Sequence, residues 1–142
     1  MKMKYRYGAV LVKDGKIIAK AHNQKEVKKD TTKHAEIVVI QKASKRLQNW
    51  RLEDAILYVT LEPCTMCIGA IIGARIKKVY FGAMDEKTGA CGSVLNIPKD
   101  YPFNHTVEIE GKVMEEECKG LMQDFFKNLR IRKQTREGKT GN

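Results

Sequence analysis

The sequence lacks any apolar run long enough to cross a bilayer. Its longest weakly polar stretch, Met66 to Ala74, falls well short of the roughly 20 residues that a membrane helix needs. Proline is scarce, with 3 residues, and no repeat, low-complexity tract or Pro-rich linker divides the chain. The basic N-terminus is followed by no apolar signal core. We therefore expect one globular domain over residues 1–133, a basic flexible tail over 134–142 and a cytoplasmic location.

Cysteine and acidic residues are also few. With 4 cysteines in a chain expected to be cytoplasmic, metal binding or catalysis is favoured over disulfides. The 17 acidic residues are outnumbered by 27 lysines and arginines, which gives a formal net charge of +10. A positive field of this size attracts polyanions such as nucleic acid, although a lysine-rich soluble surface would have the same composition.

Hydrophobic spacing predicts a β-hairpin followed by alternating helices and strands. Asp14-Gly15, between the apolar runs 8–13 and 16–19, favours a tight hairpin turn. From His34 to about Leu47 the apolar residues recur at helical spacing, and Thr31 or Thr32 could cap this helix. The next predicted elements are a strand over 55–61 buried on both faces, a helix over 64–75 with Ala70, Ile71 and Ala74 on its buried side, a strand over 77–82, a loop over 85–101 and a strand over 106–110.

A C-terminal helix is predicted from a single apolar face, which consists of Cys118, Leu121, Met122, Phe125 and Leu129. Strands that alternate with helices predict an α/β fold, a three-layer α/β/α sandwich on a mixed sheet. Ligands in such folds bind at the carboxyl ends of the strands, where helices begin. The two motifs described next both lie at such positions.

These motifs place metal-binding and proton-transferring residues at the starts of two helices. Cys64 and Cys67 are spaced to bind one ion together, and zinc favours thiolate and imidazole ligands. His34 and Glu36 share the first turn of the other helix, so both can face a site at its N-terminal end. Three protein ligands leave one tetrahedral position for a water, whose pKa zinc lowers towards neutrality. Glu36 can then move the proton of that water.

A C-x-x-C motif alone has other interpretations, because redox pairs and structural zinc fingers share it. A structural finger would need a fourth ligand, for which Cys91 and Cys118 are the candidates. Cys118 falls on the apolar face of the last predicted helix, where a small core residue is expected, and Cys91 is expected to be a free thiol near a turn. Two thiolates and one imidazole suit zinc, but the sequence leaves iron open.

The pattern H-x-E followed by P-C-x-x-C is typical of zinc-dependent nucleobase deaminases. Beyond this motif, further segments carry a resemblance: Trp50-Arg51-Leu52, Leu57 to Cys67, Ala74-Arg75-Ile76, Phe81-Gly82-Ala83, Asp85, Lys87 to Ala90, Gly92-Ser93, Asn104-His105, Glu117-Cys118 and Phe125-Phe126. With these segments the sequence resembles the bacterial tRNA adenosine deaminase family over nearly the whole chain, from Gly8 to Arg132.

The resemblance implies a cytidine-deaminase-like fold on a five-stranded sheet, and hydrolytic deamination of the wobble adenosine in a tRNA anticodon loop to inosine and ammonia. It implies a homodimer with one Zn²⁺ per chain, held by His34, Cys64 and Cys67, and with Glu36 as the proton shuttle. The implied contacts to the base or to the anticodon loop are Asn23, Asp85, Lys87, Thr88, Asn104, His105 and Phe126.

Some of these implied contacts have simpler interpretations. His22 and His105 could be ordinary surface or hydrogen-bonded histidines. Phe125 fits the core spacing, which leaves Phe126 free to stack on a base, but both rings could instead pack in the core.

The sequence departs from the family pattern in several places. Only residues 1–7 precede the first predicted strand, where family members begin with a helix, and we expect the missing helix to expose one sheet face unless another subunit covers it. Arg6-Tyr7 stands where the family usually has Pro-Val, Lys33 where alanine is commoner, and Thr65 where a small residue or proline is common. None of these changes removes a zinc ligand or Glu36.

Two other functions stay open. An enzyme of the same superfamily could act on free guanine or on a nucleotide, since spacing does not reveal the specificity of a pocket. The basic C-terminal segment with its phenylalanine pair favours tRNA over these substrates. A non-catalytic RNA-binding subunit would have no need of Glu36 beside an open metal position, so this residue favours an enzyme.

Overall fold

The computed structural model describes residues 8–23, 29–101 and 104–114. Their strands form one five-stranded sheet in the order β2-β1-β3-β4-β5. The elements, in chain order, are β1 (Gly8–Lys13), β2 (Lys16–His22), α1 (Ala35–Leu47), β3 (Ile56–Leu61), α2 (Thr65–Gly73), β4 (Lys78–Ala83), α3 (Ile97–Asp100) and β5 (Glu108–Glu110).

A two-residue turn joins β1 to β2. Asp14 and Gly15 have φ angles of 53° and 74°, the left-handed region that a type I′ hairpin turn requires at both positions. Aspartate and glycine tolerate this region better than most residues, so this dipeptide sets the register in which Lys13 pairs with Lys16. The predicted hairpin is confirmed.

The central strand, β3, is antiparallel to β1 and parallel to β4, and β5 extends the parallel part of the sheet. Because β3 and β4 run parallel, their carboxyl ends meet at one edge, where Leu61 pairs with Ala83. The same edge holds the start of β1 and the end of β2, since Gly8 pairs with His22 and donates its N–H to Thr60 Oγ1 over 3.1 Å. The predicted five-stranded mixed sheet is confirmed.

The hydrophobic core lies between this sheet and the helices α1 and α2. Side chains alternate along a strand, so the cross-strand neighbours Leu11, Leu57 and Val79 share one face, and all three are fully buried. The buried residues that the two helices pack into the same core are Val38, Val39 and Ala43 from α1 and Ile68, Ile71 and Ile72 from α2. Burial of each large side chain stabilises the fold by about 1.5–3 kcal/mol, which holds the helix starts against the sheet.

Within the described part of the chain, β3 buries only one of its faces, although the apolar run 55–61 predicted burial on both. Leu57 and Val59 are buried, whereas Tyr58 is 43% exposed and its ring stacks on Tyr80 with centroids 5.1 Å apart. The prediction was wrong for these residues because aromatic and β-branched side chains favour strands even when one side of the strand is open.

The start of α1 also differs from the prediction. His34 is the N-cap residue and makes no side-chain cap, so Thr31 and Thr32 do not cap this helix. Thr32 instead donates its backbone N–H and its hydroxyl to Asp30 Oδ1, over 2.9 and 2.6 Å. This local turn takes up the threonine hydroxyl that could have capped the helix.

The helix that begins within the C-x-x-C motif is shorter than predicted, and its buried side is different. Its buried residues are Cys67, Ile68, Ile71 and Ile72. Of the residues predicted on that side, Ile71 is buried, Ala74 is buried at the C-cap and Ala70 is only partly buried. The predicted loop over 85–101 contains one short helix, α3.

The predictions for the C-terminal part of the chain lie outside the described residues. They concern the amphipathic helix, Cys118, Phe126 and the tail over 134–142. Among the helices of the described ranges, none is long and apolar enough to cross a membrane.

Leu57→Ala tests the position of the core. Leu57 is fully buried at the centre of the sheet, so its truncation should lower the free energy of unfolding by about 2–5 kcal/mol. Leu95→Ala is the matched control. Leu95 is 48% exposed, so its truncation should lower the free energy of unfolding by less than about 0.5 kcal/mol. Denaturant unfolding measures both, and equal losses in the two variants would contradict the description of the core.

Candidate active site

The candidate site lies at the sheet edge where β3 and β4 end. His34 is the N-cap residue of α1, Cys64 is the N-cap residue of α2, and Cys67 lies in the first turn of α2. Two helix N-termini therefore converge here. Their partial positive charge stabilises anionic groups such as thiolates.

The three predicted metal ligands come together at this edge. Nδ1 of His34 lies 3.7 Å from Sγ of Cys64 and 3.5 Å from Sγ of Cys67. The three ligand atoms all lie within 4.8 Å of one another, a spacing that allows one metal ion to contact all of them. Cys91 is a buried free thiol outside this group, as predicted, so it does not supply the fourth ligand of a structural finger.

The two cysteines of the site have opposite acidities. The thiol of Cys67 and the backbone N–H groups of Cys67 and Met66 donate to the sulfur of Cys64, and together they lower the pKa of Cys64 to about 5. The hydrogen bond to Cys64 and burial raise the pKa of Cys67 above its usual range. Cys64 is thus anionic at neutral pH, and Cys67 would become so if a metal ion took the place of its proton.

Glu36 lies beside this group, in the first turn of α1. It is 9% exposed, and burial raises its pKa to about 7, with a further contribution from the negative charge of Cys64. A carboxyl group that gains and loses a proton near neutral pH suits general acid–base catalysis.

The loop that follows β4 borders the site. Gly89 forms an isolated antiparallel bridge with Cys64, which joins this loop to a predicted metal ligand. Asp85 closes the turn at the tip of the loop, because its Oδ1 accepts from the N–H groups of Lys87 and Thr88 and its Oδ2 accepts from the hydroxyl of Thr88. The side chains of Lys87 and Thr88 are exposed.

The other predicted substrate contacts are divided between the two edges of the sheet. Asn23 follows β2 and lies at the sheet edge that holds the predicted metal ligands. Asn104 and His105 precede β5, and Nε2 of His105 lies 2.7 Å from the carbonyl oxygen of Ile76, before β4 begins. The structure therefore places this pair a strand length, roughly 20 Å, from the predicted metal ligands.

Sequence reasoning missed the role of Glu62, which lies between β3 and Cys64. It is 2% exposed, and its carboxylate accepts hydrogen bonds from the loop that follows β4. A carboxylate directly after a buried strand was the available signal, since a buried charge needs partners.

Comparison with known proteins assigns the chain to a family. The model of the MafB19-like deaminases matches residues 2–130. The tRNA-specific adenosine deaminase of Bacillus subtilis is 51% identical over 126 residues, which cover 89% of this chain and 78% of that protein.

Two solved structures are also similar. A structure from a study of A-to-I editing by tRNA:A34 deaminases at the wobble position is 44% identical, with a TM-score of 0.77 over 80% of this chain and 83% of that one. The guanine deaminase of Bacillus subtilis is 36% identical, with a TM-score of 0.56 over 82% and 77%. Of these two structures, the tRNA:A34 deaminase has the higher sequence identity and the higher TM-score. The chain belongs to the MafB19-like deaminases and, among them, to the tRNA-specific adenosine deaminase family.

Proposed function

We propose that this chain is a zinc-dependent hydrolase that converts the wobble adenosine of a tRNA anticodon loop to inosine and releases ammonia. Family membership supports the reaction and the substrate. The observation that carries the proposal is the buried carboxyl group of Glu36 beside three metal ligands, because this arrangement joins a metal site to a group that can move protons.

The geometry of the three ligands supports zinc. With Zn–S bonds of about 2.3 Å and Zn–N bonds of about 2.0–2.1 Å, a tetrahedral ion separates a sulfur from a nitrogen ligand by about 3.6 Å. The two sulfur-to-nitrogen distances of 3.7 and 3.5 Å agree with this value. Bound zinc would lower the pKa of a water molecule and so supply a nucleophile at neutral pH.

Glu36 has the two properties that the proton transfers require. Its carboxylate form can take a proton from the attacking water, and its protonated form can pass that proton to the ring nitrogen N1 as the C6–O bond forms. A second transfer moves the remaining proton of the added hydroxyl group to the amino nitrogen. The C6–N bond then breaks, ammonia leaves and the C6 oxygen becomes the oxo group of inosine. Burial keeps bulk water from exchanging this proton and holds the pKa of Glu36 near the working pH.

Three features support an RNA substrate. The chain carries a net charge of +10, and the tip of the loop after β4 exposes Lys87 and Thr88 beside the site. A base in an anticodon loop is already unpaired, which lowers the cost of moving it into a pocket. Asn23 lies at the edge of the metal ligands, where it could contact that base.

The remaining assignments for the RNA complex rest on the family resemblance. Asn104 and His105 stay predicted RNA contacts, and in a homodimer they could serve the site of the partner. With tRNA as the substrate, the proposal also implies a cytoplasmic enzyme.

Cys67→Ala tests the metal site. Loss of one of three ligands should lower zinc affinity by more than the roughly 10–100-fold that loss of a supporting residue costs. Cys91→Ala is the matched control, because this buried cysteine lies outside the ligand group and its loss should leave one zinc per chain. Metal content is measured on purified protein after equilibration with a weak chelator. Retention of zinc by Cys67→Ala would contradict the assigned ligands.

Glu36→Gln tests the proton shuttle. The amide is nearly isosteric but cannot carry the proton, so kcat should fall by about 10²–10⁴-fold while zinc content stays unchanged. Glu108→Gln, an exposed carboxylate on β5, should keep wild-type kcat. Near-normal turnover by Glu36→Gln would remove this residue from the mechanism.

The proposed substrate is tested with the zinc-loaded protein and an anticodon stem-loop that carries a wobble adenosine, with inosine as the product measured. We expect conversion of this loop and none of a loop in which the adenosine is moved by one position. Failure to convert the first loop, combined with release of ammonia from free guanine, would favour the reaction of the second structural relative.

A further inference from the structure

Glu62 occupies a position where a charged side chain is rarely found. It follows β3 directly and precedes Pro63 and the metal ligand Cys64, and it is 2% exposed. Burial of an unpaired carboxylate costs several kcal/mol, so such a residue needs strong hydrogen-bond partners. No lysine, arginine or histidine of the described residues forms an ion pair with it.

The partners of Glu62 all come from one loop. Its Oε1 accepts from the N–H of Asp85 over 2.9 Å and from the hydroxyl of Ser93. Its Oε2 accepts from the N–H of Cys91 over 2.9 Å and from the N–H of Ser93 over 3.0 Å. A carboxylate has about four acceptor positions, and here all of them are used. One side chain therefore fastens both ends of the loop 85–93.

Backbone contacts draw the same loop towards the metal ligands. The N–H of Glu62 donates to Ala83, and the N–H of Ala90 donates to Pro63 over 2.9 Å. At Gly89 a Cβ atom would lie 2.5 Å from the carbonyl oxygen of Asp85 and from Oε1 of Glu62, so only glycine fits there without displacing the loop. The loop and the segment 62–64 thus form one tightly packed unit.

We propose that Glu62 is a positioning residue, which fixes the loop 85–93 against the metal-ligand turn and so presents Lys87 and Thr88 to the substrate RNA. This inference rests on the proposed function for the identity of the substrate. Glu62 itself does not contact the reacting atoms. Its effect on the reaction passes through Asp85, whose N–H it holds and whose carboxylate shapes the loop tip.

Glu62→Gln releases one part of this unit selectively. The glutamine oxygen should face the two N–H groups of Cys91 and Ser93, and its NH₂ group can then donate to the hydroxyl of Ser93. The N–H of Asp85 is left without an acceptor, because it now faces another donor. Amide exchange followed by NMR should be at least about tenfold faster at Asp85 and unchanged at Cys91.

Kinetics with the anticodon stem-loop separate positioning from general instability. For Glu62→Gln we expect KM to rise about tenfold, kcat to stay within about threefold of the wild type, and zinc to remain at one per chain. Ser93→Ala is the matched control, since it removes only the hydroxyl and leaves the N–H of Asp85 bonded to Glu62, so its KM should stay within about threefold. Should Glu62→Gln fail to fold, Gly89→Ala is the second variant. Its Cβ would overlap the carboxyl group of Glu62 and the carbonyl oxygen of Asp85, so it should separate the loop from Glu62 and raise KM similarly.

The two proposals fail in different ways. If the wild-type protein produces no inosine, the proposed function fails, and the amide exchange of Asp85 still decides whether Glu62 holds the loop. If the wild type is active, unchanged KM and unchanged exchange in Glu62→Gln overturn the inference. The inference is also overturned if Glu62→Gln loses bound zinc and kcat while its KM stays constant. That result would show that Glu62 only maintains the structure of the metal site.

Discussion

The parallel pairing of β3 with β4 is the constraint on which the rest of the site depends. Parallel neighbours bring their carboxyl ends to one edge, so the turn after β3 and the loop after β4 must lie side by side. The first of these segments carries Cys64, and the second carries the exposed Lys87 and Thr88. A predicted metal ligand and two predicted RNA contacts that are distant in sequence become neighbours through backbone pairing.

Two buried carboxyl groups near this edge have different environments, and the difference agrees with the different roles proposed for them. Glu62 lies among four donors from one loop, and these hold it as a fixed acceptor. Glu36 lies beside the predicted metal ligands, and burial raises its pKa to about 7, which suits the proton transfer proposed for it. The same residue type thus stabilises a loop in one case and is available for proton transfer in the other.

Much of this arrangement could be predicted from the sequence, because local signals were strong. The Asp14-Gly15 turn depends on two residues only, and the H-x-E and C-x-x-C motifs sit at helix starts whose apolar spacing is clear. The tertiary partners were not predictable in the same way. Whether Tyr58 is buried depends on what packs on the far face of the sheet, and whether Thr32 caps a helix depends on a competing bond to Asp30.

The environment of Glu62 shows the same limit at the site itself. Its four donors come from positions 85, 91 and 93, more than 20 residues away, and only the β3–β4 pairing brings them together. The positions of Asn104 and His105 likewise depend on where β5 joins the sheet. A motif indicates the chemistry of a side chain, but the pairing of the strands determines which other residues that side chain contacts.

The central claim is that His34, Cys64 and Cys67 bind one zinc ion and leave its fourth coordination position open to water. X-ray absorption at the zinc edge of the purified protein tests it directly. The account predicts two sulfur ligands at about 2.3 Å and two lighter ligands, one of them an imidazole, at about 2.0–2.1 Å. A shell of three or four sulfur ligands would contradict it, because the ion would then be closed to water and the site would be structural.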